Sequence, residues 1–204
     1  AFTADKVRQG VQQAAAGGYT IDQSCRFEDG NSAPAWMQWT PSSSGNRKTW
    51  TWSGWFKRGT KLDTRTRLIT FGSGLGAVVT FQFESDGTLN CDFNTSGNKL
   101  RTTQVFRDPS AWYHLIIAAD TTQGTASDRF KMYVNGTQVT DFSTESYPSL
   151  NADSDKVNYT EIYKLGKHDG SGSSDGTNSW CGYMAEIHFI DGQALDPTSF
   201  GETG

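Results

Sequence analysis

The pattern of apolar positions changes period once along the 204-residue chain, near residue 24. Before that point Val7, Val11 and Ala14–Ala16 form a weak apolar stripe at helical spacing. Thr3 precedes the stripe as an N-cap, Asp5 sits in the first turn, and Gly17–Gly18 end it. The pattern predicts one short α-helix. A helix of that length is marginal alone in water and needs a surface to lie on. Residues 1–23 therefore read as a docking segment, with Phe2, Val7 and Val11 as its candidate assembly contacts.

From Ser24 onward the period is two. Trp50, Trp52, Gly54 and Phe56 share one face of a strand, and Thr51, Ser53, Trp55 and Lys57 the other. Val79, Phe81 and Phe83 alternate with Thr80, Gln82 and Glu84, and Leu89, Cys91 and Phe93 alternate with Asn90, Asp92 and Asn94. Ser85-Asp86-Gly87 between those runs is a tight hairpin signal. Phe130, Met132 and Val134 lead into Asn135-Gly136, which predicts a two-residue turn with Val134 opposite Thr137 and Met132 opposite Val139. Residues 112–119 and 183–190 are apolar on both faces and read as central strands. Ten to twelve short strands separated by Gly, Ser, Asn and Asp clusters predict an all-β sandwich or barrel over residues 24–204.

Composition narrows the classes of function. Twenty-six aromatic residues exclude a disordered chain. A net charge of −4 argues against a nucleic-acid partner, which needs a basic surface, and no apolar run approaches a membrane span. The N-terminus lacks the apolar core of a secretion signal; taken as the natural start, it predicts a protein made in a cytoplasm. Cys25, Cys91 and Cys181 are odd in number with no metal-ligand spacing, and read as small buried strand residues. A Cys25–Cys181 disulfide requires the first and last strands to be neighbours.

Four segments carry a family resemblance: WTWSGWFK (50–57), WYHLIIAAD (112–120), KMYVNGTQV (131–139) and GYMAEIHFIDGQAL (182–195). In this order they resemble concanavalin A-like domains of the laminin G and pentraxin type. The resemblance implies a concanavalin A-like antiparallel β-sandwich (jelly roll), a lectin-like surface, and calcium as the family's usual rim ion. Narrower likenesses at 26–31, 40–52, 103–114 and 188–201 resemble laminin G-like proteins of tailed bacteriophages, whose members also begin with a short helix like residues 2–16. They imply a non-enzymatic virion protein (fibre, spike or decoration) partnered by other virion proteins and its own copies. Trp39 and Cys181 depart from that family's pattern.

The remaining chemistry is sparse. Trp36, Trp39, Trp55 and Trp180 do not all fit inward faces. Trp36, Trp39 and Trp180, with the polar loop residues Asp169 and Asn178, are the candidate carbohydrate contacts, for a host-surface glycan in a virion or surface adhesin. Asp169 and Asp175 in a Gly/Ser-rich loop, with Asn178, or Glu28, Asp29 and Asn31, are weak calcium candidates without EF-hand spacing. Glu84-Ser85-Asp86 matches half of the Glu-x-Asp-x-x-Glu strand of retaining glucanases, but position 89 is Leu. Glu186 and Asp191, five apart, fall on opposite faces of an extended strand. His114 reads as a core residue bonded to backbone, His188 as half-buried and His168 as exposed, none beside a nucleophile. No catalytic set and no required cofactor are expected.

Overall fold

The computed structural model describes residues 22–28, 34–73, 78–167 and 178–200. The expected helix and its contacts Phe2, Val7 and Val11 lie outside these residues, as do His168, Asp169 and Asp175. Thirteen strands are formed among the described residues. They are β1 (Cys25–Phe27), β2 (Met37–Trp39), β3 (Thr49–Arg58), β4 (Thr66–Phe71), β5 (Val79–Phe83), β6 (Thr88–Asp92) and β7 (Lys99–Val105). The second half adds β8 (Trp112–Asp120), β9 (Phe130–Val134), β10 (Thr137–Gln138), β11 (Phe142–Ser146), β12 (Tyr163–Leu165) and β13 (Gly182–Asp191).

The strands form two antiparallel sheets packed face to face. One has six strands in the order β1-β13-β3-β8-β9-β10, and the other seven in the order β11-β7-β6-β5-β4-β12-β2. This is the expected all-β sandwich. The two doubly apolar runs, β8 and β13, are interior strands, because each has both faces to bury. The Asn135-Gly136 turn sets the expected register, Val134 against Thr137, and the Val139 N–H reaches the Met132 carbonyl at 2.9 Å. Both turn residues have positive φ, 49° and 78°, as a type I′ turn requires.

Aromatic rings fill the space between the sheets. Trp50 of β3 stacks near-parallel on Phe93 across the interface at 6.3 Å and meets Phe130 edge-on at 6.2 Å. Trp52 meets Phe81 edge-on at 5.2 Å, and Phe81 meets Phe71 at 5.3 Å. Trp50 and Trp52 are fully buried, as the period-two reading of β3 requires. Cys91 is buried as expected, and burial pushes its thiol pKa up. Cys25 is exposed and Cys181 half-exposed, against the expectation for all three. β1 and β13 are neighbours, but Cys25 lies opposite Met184 and all three thiols are free.

The outer face of the six-stranded sheet is covered by the chain that follows β13. The Thr51 hydroxyl donates to the Gln193 carbonyl (2.7 Å) and accepts from the Leu195 N–H (2.8 Å). This clamp buries Thr51 completely, although it points away from the core. Beside it His114 stacks flat on Trp55, centroids 4.6 Å apart, and Phe200 closes over it at 6.1 Å. His114 Nε2 lies 2.8 Å from Ser53 Oγ, so its partner is a side chain and not the backbone contact expected.

Two predictions follow from this packing. Trp50→Ala removes the ring that ties the sheets together and is expected to lower the unfolding free energy by about 3–5 kcal/mol, read from the urea midpoint. Burial, reinforced by the neighbouring His188, lowers the His114 pKa from 6.5 to about 4. The unfolded chain therefore takes up this proton first as pH falls. The stability that neutral His114 contributes is fully present above pH 6.5 and is lost between 6.5 and about 4. Denaturant titrations across that window are expected to show a shallower loss of stability for His114→Gln than for the parent.

Candidate functional site

The site is built on the outer face of the seven-stranded sheet. In β5, Phe81 and Phe83 point into the core, which turns Thr80, Gln82 and Glu84 outward. In β6, Leu89 and Cys91 are core residues and Asn90 and Asp92 face out; in β7, Leu100 is inside and Lys99 and Arg101 outside. Strand pairing then sets these outward residues in line. Arg67 of β4 lies opposite Gln82, Gln82 opposite Asn90, Asn90 opposite Arg101, and Arg101 opposite Thr144 of β11. A bulge after Arg67 returns Ile69 to the core without disturbing the pair.

The result is a groove of about 380 Å³ crossing five strands. Its side chains hold one another. Glu84 accepts from Arg65 Nε (2.8 Å) and Gln82 Nε2 (2.6 Å), and Asp92 accepts from Thr80 Oγ1 (2.9 Å) and Asn90 Nδ2 (3.0 Å). The Thr80 hydroxyl also lies 3.1 Å from Gln82 Oε1, so a continuous row of polar contacts runs from one carboxylate to the other. Arg101 Nη2 reaches Asp86 at 2.6 Å, and bonds from Thr88 hold the Asp86 carboxyl below the usual carboxylate range. Four cations (Arg65, Arg67, Lys99, Arg101) against two carboxylates (Glu84, Asp92) line the groove, the opposite balance from the chain's net −4.

The same face continues to an exposed indole. Lys164 of β12 lies opposite Thr70 of β4 and opposite Gln38 of β2, and Thr70 in turn lies opposite Thr80. Trp36, just before β2, has the ammonium groups of Lys167 and Lys164 at 4.6 and 5.6 Å from its ring centroid and is 38% exposed. It is therefore at the β2 end of the face that carries the groove.

The other sequence candidates divide. Trp39 is 38% exposed but turns to the core side of the sheet, where it meets Tyr163 edge-on at 5.1 Å. It caps the open edge of the sandwich. Trp180 is fully buried, packed between Phe83 (5.8 Å) and Phe56 (6.0 Å), and presents no ring to a ligand. That corrects its reading as a rim residue, because the residues leading into β13 enter the core. Asn178 comes beside the groove, its carbonyl accepting the Arg67 N–H at 3.1 Å. Asp169, Asp175, Asp29 and Asn31 lie outside the described residues, so the calcium loops gain no geometry. No group of three His, Cys, Asp or Glu side chains with metal-site geometry occurs among the described residues.

Arg67, Gln82, Asn90 and Arg101 were not among the sequence candidates. Their signal was the polar half of the strand alternation, which ordinarily marks a solvated face. A second groove, of about 450 Å³, lies on the opposite outer face between Trp55, His114, Glu186, His188 and Phe200. Its serine–histidine pair is no exposed nucleophile, since Ser53 is fully buried. Glu186 sits at a β-bulge with φ of 49°, 3.4 Å from His188, and Asp191 faces the other side, where it accepts from Asn158 Nδ2 at 2.6 Å.

Solved structures place this sandwich among known folds. A heptameric SAP-like pentraxin from Limulus polyphemus superposes with a TM-score of 0.59 at 16% identity, over 84% of this chain and 76% of that one. The CBM40 module of the Ruminococcus gnavus IT-sialidase, bound to α2,3-sialyllactose, gives 0.55 at 12% identity, over 88% and 96%. Domains LG4-5 of the mouse laminin α1 chain give 0.54 at 13%, over 87% and 44%. At these identities the likeness is one of fold. No curated protein sequence matches the chain. Residues 29–198 match the family described as the concanavalin A-like lectin/glucanases superfamily, and the chain belongs to that family.

Proposed function

We propose that this chain is a non-enzymatic carbohydrate-binding module whose ligand lies along the groove of the seven-stranded sheet. The observation that carries this reading is the register of Arg67, Gln82, Asn90 and Arg101, which sets guanidinium and amide groups in one line across four strands. Adjacent strands are about 4.8 Å apart, so the groove presents fixed donors and acceptors at regular intervals along an extended polar ligand. Trp36 adds an apolar surface for the C–H face of a ring further along the same side. A sialyllactose-bound CBM40 of the same fold supports a saccharide as the ligand class.

The carboxylates support binding over cleavage. Glycoside hydrolysis needs two carboxyl groups facing the scissile bond, one of them free to give up a proton. Glu84 and Asp92 are each already engaged by two donors and point into their own network. Amide and guanidinium contacts also serve a sugar without any metal. On a glycan array, the purified protein is expected to bind selected oligosaccharides. Asn90→Ala is expected to weaken binding at least tenfold and Trp36→Ala severalfold, with no change in melting temperature beyond a few degrees. Array binding that survives Asn90→Ala, or saccharide cleavage that Glu84→Gln abolishes, would overturn the reading.

The setting proposed for the module is a virion, where several copies would display the groove toward host-surface glycans. The phage-like segments noted in the sequence support it, as does the heptameric state of the pentraxin with the same fold. Deleting residues 1–16 is expected to leave a folded sandwich that still binds sugar but elutes as a smaller species on size-exclusion chromatography. An unchanged elution volume would count against the docking role of that segment.

A further inference from the structure

Two arginines are buried among the described residues, and they are used differently. Arg58 is 2% exposed, and its guanidinium donates to the carbonyls of Phe106, Lys61 and Leu62 while lying 4.6 Å over the Phe83 ring. That side chain is a structural strut: both Nη groups are spent on backbone carbonyls, and Nε alone lacks a partner. Arg67 is 7% exposed and lines the polar groove, yet its Nε and Nη1 have no hydrogen-bond partner among the described residues. The neighbouring arginines have their acids, Arg65 with Glu84 and Arg101 with Asp86. Arg67 has none at ion-pair distance among the described residues.

An uncompensated cation in a desolvated site is costly, and apolar residues commonly replace such groups with no loss of stability. Burial, with repulsion from Arg65, already lowers the Arg67 pKa to about 10, so the group stays charged at neutral pH but under strain. The charges of Glu84 and Asp92 offset this only in part, and neither carboxylate comes within ion-pair distance of the guanidinium, each being bonded to other donors. A ligand anion would supply the missing charge, and a guanidinium matches a carboxylate or sulfate in shape as well as charge. We infer that the saccharide taken by this groove carries an acidic substituent, a carboxylate or a sulfate ester, and that Arg67 is the residue that selects it. This rests on the carbohydrate-binding reading and names its ligand class.

The test compares matched charged and neutral ligands by titration calorimetry. Oligogalacturonate is set against its methyl ester, and 3′-sialyllactose and lactose 3′-sulfate against lactose. The parent is expected to prefer the charged member of at least one pair tenfold or more, with the preference shrinking between 50 and 500 mM salt. The carboxylate and sulfate pairs identify which anion is taken. Arg67→Met is expected to fold with an unchanged or higher melting temperature and to lose that preference. Arg67→Gln, which keeps donors but no charge, is expected to lose it as well. Equal affinity for charged and neutral members, or a preference that survives in Arg67→Met and Arg67→Gln, overturns the role of Arg67 and leaves the carbohydrate-binding reading standing. If no saccharide, charged or neutral, binds the parent, both fall.

Discussion

The contact between Phe81 and the tryptophans of the facing sheet is the constraint on which the rest of the molecule depends. Phe81 touches Trp50, Trp52 and Phe71, and it can do so only in one register of β5. Strand side chains alternate, so fixing Phe81 and Phe83 inward fixes Thr80, Gln82 and Glu84 outward. A slip of one residue would exchange the two sets completely. Core and groove are two sides of the same ladder, and the aromatic packing is what holds a polar surface in alignment.

That surface is unusual for the outside of a sheet. Thr80, Gln82, Glu84, Thr88 and Asn90 are each less than a tenth exposed, because neighbouring polar side chains shield one another. Groups shielded in this way must be satisfied by each other, and the chain from Asp92 through Thr80 and Gln82 to Glu84 does so. The opposite outer face is handled differently, with its central part sealed by the chain after β13 through the Thr51 clamp. The central part of one face is thus closed by covalent continuation of the chain, and the other face is left open with its hydrogen-bonding groups in fixed positions.

Period, hairpin register and fold class were legible in the sequence because they are local. The Asn135-Gly136 turn and the Phe81/Gln82 alternation need only a few residues each. The groove was not legible. Arg67 and Arg101 are separated by 34 positions and are brought into one row by strands whose lateral order the chain does not announce. Tryptophans were the more visible candidates, and they sorted by burial in ways that spacing cannot foresee. Trp36 stands on the open face, Trp39 caps an edge, and Trp180 belongs to the core. His114 is buried, but on the outer face of its sheet and not in the core as expected, and its cross-strand Ser53 partner had no sequence signal.

The outermost strands have a consequence for how such molecules live together. β1 and β2 are three residues long and β10 only two, and β11 is broken by a register shift between Phe142 and Thr144. Each therefore offers few consecutive free amides to a stranger. Short and irregular borders of this kind resist edge-to-edge pairing between crowded copies, where longer ones would knit into fibrils.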